Sequence, residues 1–175
     1  MSTETNTESG IVFRSTGSWY DVQDSSGENI RCRIKGKMRL KGLRSTNPIA
    51  VGDAVQFIRS KDGTGSIDSI EERRNYIVRK SVNLSKETHI VASNLDRAYL
   101  IVTIAKPRTS SGFIDRFLVT AEAYGIPTTI VFNKFDLLSS DKEALLRQEE
   151  LEGIYTRVGY ETMRVSAESG LGIKE

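Results

Sequence analysis

The sequence predicts an all-β barrel followed by a partial α/β domain, and three observations carry that prediction. From Gly10 to about Asn75, short strand-like runs are punctuated by glycine and Asx turn chemistry. From Asn94 onward, near-continuous apolar runs alternate with helical stripes. Between these regions residues 76–93 are basic, polar and weakly periodic, and they read as a connector.

The barrel elements follow in order. Residues 1–9 are polar and read as a disordered lead-in. Ile11-Val12-Phe13 and Trp19 to Gln23 are strand-like, separated by Ser15-Thr16-Gly17-Ser18. Asp24-Ser25-Ser26-Gly27 can reverse the chain through an Asx turn and a glycine. Glu28 to Met38, Ala54 to Ile58 and Ser66 to Glu71 supply further strands, with a turn at Lys61 to Gly65. About five short strands in roughly 65 residues suit a small barrel of the oligonucleotide/oligosaccharide-binding (OB) type, with an SH3-like barrel as the alternative.

The α/β elements begin with Ala98 to Ala105, whose β-branched, unbroken apolar character predicts a strand buried on both faces. Phe113, Ile114, Phe117, Leu118, Ala121 and Tyr124 form a helical stripe, and Gly125 is placed to end that helix. Pro127 to Phe132 is another buried strand. Asp141 is a candidate N-cap for a helix to about Val158, and Glu161 to Val165 completes the order. Strand-helix-strand-helix-strand with right-handed crossovers is a parallel sheet over residues 94–175.

Composition narrows the function classes. The chain is 38% hydrophobic and 27% charged, which argues against global disorder. No apolar run approaches the roughly 20 residues a bilayer requires, so no membrane partner is expected. Met1 to Gly10 has no apolar core of a secretory signal. The lone Cys32 excludes an internal disulfide and a Cys-rich zinc site, so these residues are expected to hold no metal. One thiol and no leader predict a cytoplasmic protein.

The chemistry concentrates where Thr128 to Phe132 runs into Asn133-Lys134-Phe135-Asp136. Ligands of parallel α/β sheets bind at the carboxyl ends of strands. A carboxylate at Asp136 can accept from N1–H and the exocyclic amine of guanine, adjacent donors that adenine does not offer. Asn133 can bridge the base region and neighbouring loops, while the Lys134 stem lies over the ring. Thirty residues after Asp136 stands Ser166-Ala167-Glu168-Ser169-Gly170, where a small turn lets a backbone N–H approach the guanine O6. Alone, the first segment also fits a polar βα loop and the second an ordinary helix-capping loop. At the ends of successive predicted strands, together they predict a guanine site of Asn133, Lys134, Asp136, Ser166 and Ala167.

These motifs resemble the fourth and fifth G motifs of translation-factor-class GTPases. Here they stand behind a barrel, with Ala92-Ser93-Asn94-Leu95-Asp96 leading into the first strand, Val51-Gly52-Asp53 in the barrel and Ile114-Asp115-Arg116-Phe117-Leu118 in the helix. That order is similar to the circularly permuted, ribosome-small-subunit-dependent GTPases of the RsgA/YjeQ type. The resemblance covers about residues 10 to 175. It implies an OB fold, a P-loop GTPase-like permuted domain, GTP/GDP with Mg²⁺, and a zinc-binding carboxyl-terminal domain. It further implies a cytoplasmic GTPase that binds the 30S ribosomal subunit and 16S rRNA late in subunit maturation; a monomer is expected.

The sequence departs from this pattern in one respect. No Gly-x-x-x-x-Gly-Lys-[Ser/Thr] occurs, so nothing cradles the phosphates and no hydroxyl is set for Mg²⁺. Switch regions and zinc ligands are likewise absent. A truncated chain is therefore expected, with no catalytic residue and no GTP turnover of its own. The runner-up reading is a nucleic-acid-binding adaptor whose α/β part is structural. A dinucleotide enzyme is disfavoured because no Gly-x-Gly-x-x-Gly follows a predicted strand.

Net charge is only +2, yet seven Lys or Arg and no acid lie between Arg31 and Arg44. Arg31, Arg33, Lys35, Lys37, Arg39 and Lys41 alternate with Cys32, Ile34, Gly36, Met38 and Leu40, which puts the cations on one side of an extended strand. With Arg44 they form the candidate RNA-binding set, since phosphate-backbone binding needs such a stripe; a solvated basic face is the alternative. Of adjacent Trp19 and Tyr20, one is assigned to the core and the other is a candidate to stack on a base. Cys32 is expected to be buried and inert, and His89 to play a packing or surface role. Arg73, Arg74, Arg79 and Lys80 either extend the RNA-facing surface or stay solvated. Asp115 and Arg116 either cap and pair locally or lie near the nucleotide.

Overall fold

The computed structural model describes residues 7–34, 48–80, 88–138 and 140–173, divided between two compact units, Met1–Leu95 and Asp96–Glu175. In the first, β1 (Thr7–Ser15), β2 (Tyr20–Asp24), β3 (Asn29–Ile34), β4 (Ala54–Arg59) and β5 (Gly65–Ile70) close a barrel in the order β1-β2-β3-β5-β4. Neighbours are antiparallel except β3 and β5, which run parallel. That order and closure are those of an OB barrel and not of an SH3-like one.

Period-two alternation builds the barrel core. Val12, Tyr20, Val22, Ile30, Cys32, Val55, Phe57 and Ile67 all point inward and are buried. At about 1.5–3 kcal/mol per buried large apolar side chain, this interior dominates the unit's stability. The turn after β2 is an Asx turn in which Asp24 Oδ1 accepts from the Ser26 and Glu28 amides, each at 2.9 Å. Residues 7–9 belong to β1 and pair with Ile58 to Gln56, so the barrel starts earlier than the polar composition suggests.

The stretch read as a connector contains an antiparallel hairpin, β6 (Tyr76–Lys80) and β7 (Thr88–Ser93). A register shift between Ile77 and Val78 interrupts its alternation, which is why period two is not readable there. A buried polar knot ties this hairpin to the barrel. Arg73 donates from Nε to Asp53 Oδ1 at 2.7 Å and from Nη2 to Oδ2 at 2.6 Å. Ser93 Oγ donates to Asp53 Oδ1 at 2.5 Å, and the Ala50 amide donates to Oδ2 at 2.8 Å. Asp53 is fully buried, so these partners satisfy a carboxylate that water does not reach. Arg73 is thus neither solvated nor RNA-facing: its charge is matched inside the fold.

Gly52, at φ +90°, makes the knot possible. A Cβ there would lie 2.0 Å from the Ser93 carbonyl oxygen, in a backbone region that L side chains rarely adopt. Beside it, Arg74 donates to the Asn94 carbonyl, and Asn75 and Leu95 exchange two hydrogen bonds of 2.8 and 2.7 Å. The side chains of Arg79 and Lys80 lie outside the described residues.

The second unit is a parallel sheet in the order β10-β9-β8, from β8 (Ala98–Val102), β9 (Thr128–Phe132) and β10 (Glu161–Arg164). Helix α1 (Ser111–Ala123) starts at an N-cap Ser110 and stops before Gly125, which takes φ +64°. Helix α2 (Lys142–Arg157) is capped by Asp141, whose side chain accepts from the Ala144 amide at 3.0 Å. Leu100 and Val102 stand in register with Ile130 and Phe132 and pack with Ile114, Leu118, Leu151 and Tyr155. Both helices therefore cover the same face. On the other face Tyr99 and Ile101 are 61% and 64% exposed, so β8 is buried on one side and not both. Only the central strand, β9, is buried along its whole length.

The motif at the start of α1 has a packing role. Ile114 and Leu118 enter the core, and Asp115 Oδ1 accepts from Tyr155 Oη at 2.9 Å, joining α1 to α2. Burial and that carboxylate push the Tyr155 hydroxyl up to about 12.

Candidate functional site

Asn133 is the first residue beyond β9, and its amide donates to the Val102 carbonyl at 2.9 Å, fixing the loop to the end of β8. Its Oδ1 accepts from the Lys134 amide at 2.8 Å and from the Ala167 amide at 3.1 Å. One side chain thereby spans the two segments. Lys134 sits in the left-handed region at φ +65°, uncommon for a side-chain-bearing residue, and its Nζ donates to the Lys106 carbonyl at 2.5 Å.

Asp136 lies in the 3-10 turn Phe135–Leu138. Its Oδ1 accepts from Ser166 Oγ at 2.5 Å, and Ser166 is fully buried. Ser166 Oγ also accepts from the Ser169 amide at 3.1 Å, while the Phe135 amide donates to the Val165 carbonyl at 3.1 Å. A buried hydroxyl between a carboxylate and a backbone N–H has a single orientation, so it fixes the carboxylate in turn.

Around these bonds opens a cavity of about 440 Å³ lined by Asn133, Lys134, Asp136, Leu137, Ala167 and Glu168. All five residues of the predicted guanine set meet here, four lining the cavity and Ser166 holding Asp136 from behind. Leu137 and Glu168 also line the cavity, and the Lys106 carbonyl holds the Lys134 ammonium. Glu168 directly follows Ser166-Ala167 in sequence, whereas Lys106 is brought in only by the fold.

On the barrel, Arg31 and Arg33 project from β3 and are exposed, alternating with buried Ile30 and Cys32. Burial pushes the Cys32 thiol up to about 11, so it is protonated at neutral pH. Tyr20 is the core aromatic, and its half-buried neighbour Trp19 carries two guanidinium groups, those of Arg33 at 3.8 Å and Arg31 at 4.6 Å from the ring centre. Lys35, Lys37, Arg39, Lys41 and Arg44 lie outside the described residues. His89 Nδ1 is 2.9 Å from the Ile90 carbonyl, and among the described residues no three His, Cys, Asp or Glu side chains cluster to hold a metal ion. No described helix is long and apolar enough to cross a membrane.

Residues 70–175, more than half of the chain, match the RsgA GTPase family, and residues 9–67 match the RsgA N-terminal domain. The chain belongs to the RsgA GTPase family. Named relatives include the small ribosomal subunit biogenesis GTPase RsgA of Flavobacterium psychrophilum, 54% identical over 170 residues, covering 95% of this chain and 51% of that protein. The RsgA of Flavobacterium johnsoniae is 53% identical over 167 residues, covering 94% of this chain and 51% of that protein. The chain spans about half the length of the curated relatives it matches. Among solved structures, YjeQ from Thermotoga maritima aligns with a TM-score of 0.75 at 35% identity, over 97% of this chain and 55% of that one. YloQ, a circularly permuted GTPase, aligns with a TM-score of 0.68 at 26% identity, over 96% of this chain and 55% of that one.

Proposed function

We propose that this RsgA-family chain is the base-selecting and RNA-binding part of a GTPase that acts in late maturation of the 30S ribosomal subunit. The observation that carries the reading is the convergence of Asn133, Lys134 and Asp136 with Ser166 and Ala167 around one cavity. In this role Asp136 accepts from the N1–H and exocyclic amine of guanine. Ser166 fixes the carboxylate, Asn133 braces the two loops, and the Lys134 stem covers the ring. The Ala167 amide already donates to Asn133 Oδ1, so a guanine O6 shares or takes over that donor. Adenine would leave the carboxylate facing no donor, and an unpaired buried polar group is what makes such sites selective.

GTP hydrolysis is assigned to the longer protein, with Mg²⁺ at the phosphates and zinc in a further domain, and none to these 175 residues alone. The sequence holds no Gly-x-x-x-x-Gly-Lys-[Ser/Thr] loop to cradle the phosphates. Arg31 and Arg33, continuing into Lys35, Lys37, Arg39, Lys41 and Arg44, supply the cations for 16S rRNA. The names of the relatives support the ribosomal small subunit as partner. On this reading the protein works in the cytoplasm as a monomer.

Titration with GDP, ADP and xanthosine diphosphate tests the base assignment. Asp136→Asn exchanges an acceptor for a donor, which suits the 2-carbonyl of xanthine, so GDP binding falls by about 10²-fold or more while the xanthine nucleotide gains. Equal binding of GDP and ADP, or no change on substitution, passes the chain to the alternative of an RNA-binding adaptor with a structural α/β part.

A further inference from the structure

The protein's one tryptophan stands immediately before β2, where Tyr20 pairs with Cys32 and Asp21 with Arg31. One step further along that register, Trp19 faces Arg33, with Arg31 diagonal to it on the same outward side. Asp21, the register partner of Arg31, has its carboxylate 3.8 Å from Arg14. Among the described residues neither Arg31 nor Arg33 forms a salt bridge. What both have instead is the indole, at 4.6 and 3.8 Å from its centre.

We infer that Trp19 is a positioning residue: it holds Arg31 and Arg33 as a pre-set two-guanidinium clamp for RNA phosphates, and it is not itself a platform for a base. This rests on the RNA-binding reading above. Three physical points support it. A guanidinium is planar and weakly hydrated, so it lies flat on an aromatic face that attracts cations. Arginine is rich in rotamers, and ordering it in the free protein removes that entropy cost from binding. Its fork matches two oxygens of a phosphate, and two forks over one ring concentrate positive charge on a small area. A ring with a guanidinium at van der Waals distance has that face occupied, so a base can stack there only by displacing the arginine. Base stacking and cation–π contact are of comparable strength, which makes the two modes a matter for measurement.

The whole chain is titrated with a single-stranded oligoribonucleotide and with an abasic sugar-phosphate strand of equal length, at several salt concentrations. The clamp predicts similar affinity and salt slope for the two strands, with little difference in tryptophan fluorescence change between them. Trp19→Ala then weakens both by the same factor, about three- to tenfold, and Trp19→Phe, which keeps a ring, recovers most of the loss. Arg33→Lys, which keeps the charge and loses the flat stacking group, weakens binding with the salt slope retained; Arg33→Ala lowers that slope by about 0.7. The proposal is overturned if Trp19→Ala harms only the base-containing strand while that strand alone quenches the fluorescence, because Trp19 then stacks on bases. It is also overturned if a folded Trp19→Ala protein binds both strands like the parent. If neither strand binds the parent protein, the RNA reading itself falls and takes the clamp with it, an outcome separate from the other two.

Discussion

The barrel and the α/β unit solve the burial problem in different ways. In the barrel every strand has a neighbour on each side, and alternation sends one set of side chains into a closed core and the other to solvent. In the α/β unit both helices pack on one face of a three-stranded sheet, while Tyr99 and Ile101 stay exposed on the other and β8 is an edge. Closure gives the barrel a self-contained interior. The α/β unit packs its helices on one face, and the loops after β9 and β10 leave the strand ends at the carboxyl side. The polar parts differ as well: the barrel keeps a buried ion pair, whereas in the α/β unit the bonds from Asn133 and Ser166 join two loops around a cavity.

The largest effect expected from this contrast lies at Asp53. Asp53→Ala strands the Arg73 guanidinium without its buried partner and should cost about 3–5 kcal/mol in the barrel unit. Denaturant unfolding followed at Trp19, which reports on that unit, should show the loss, while the amide signals of residues 96–175 keep their melting behaviour. A shared loss in both regions would break the comparison.

Next come the two faces of β8. Leu100→Ala removes a residue buried between sheet and helices and should cost about 2–5 kcal/mol. Ile101→Ala, one position along, should stay within about 0.5 kcal/mol. Equal costs would show that the second face is covered in solution. A smaller change is expected for Tyr155→Phe, which deletes the bond to Asp115 but keeps the ring packed, at about 1 kcal/mol by the same unfolding measurement.

How much of this was legible in the sequence depends on whether the signal was local. In β3 the alternation of Arg31, Cys32 and Arg33 carries its own geometry, and the observed burial follows it. The hairpin of β6 and β7 was hidden because its bulge breaks the alternation. The sequence gives no sign that Arg73 is buried, because its partner Asp53 lies 20 residues away, next to the turn at Gly52. For β8, composition shows an apolar strand but not which face the helices choose. The two candidate-site segments were legible as strand ends; the bonds from Asn133 to Ala167 and from Ser166 to Asp136 show how the fold links them. Lys106 joins the site only through loop geometry, for which the sequence has no periodic signal, whereas Glu168 directly follows Ser166-Ala167.

A pH dependence is expected in the barrel as well. Cys32 ionises near its ordinary 9.0 when unfolded and near about 11 when buried, so the neutral thiol favours the folded state. That contribution is fully present below the unfolded value and is lost as pH rises through the folded one. Unfolding midpoints of parent and Cys32→Ala proteins, compared between neutral pH and that upper range, should diverge at neutral pH and converge above it.

The central claim is that the loops after β9 and β10 select guanine. Backbone amide NMR of the 175-residue chain, with GDP added in one series and ADP in another, tests it most directly. The expected result is a set of saturable shifts at Asn133, Lys134, Asp136, Ser166 and Ala167 with GDP and none with ADP. Identical responses to the two nucleotides, or none to GDP at high concentration, would contradict it.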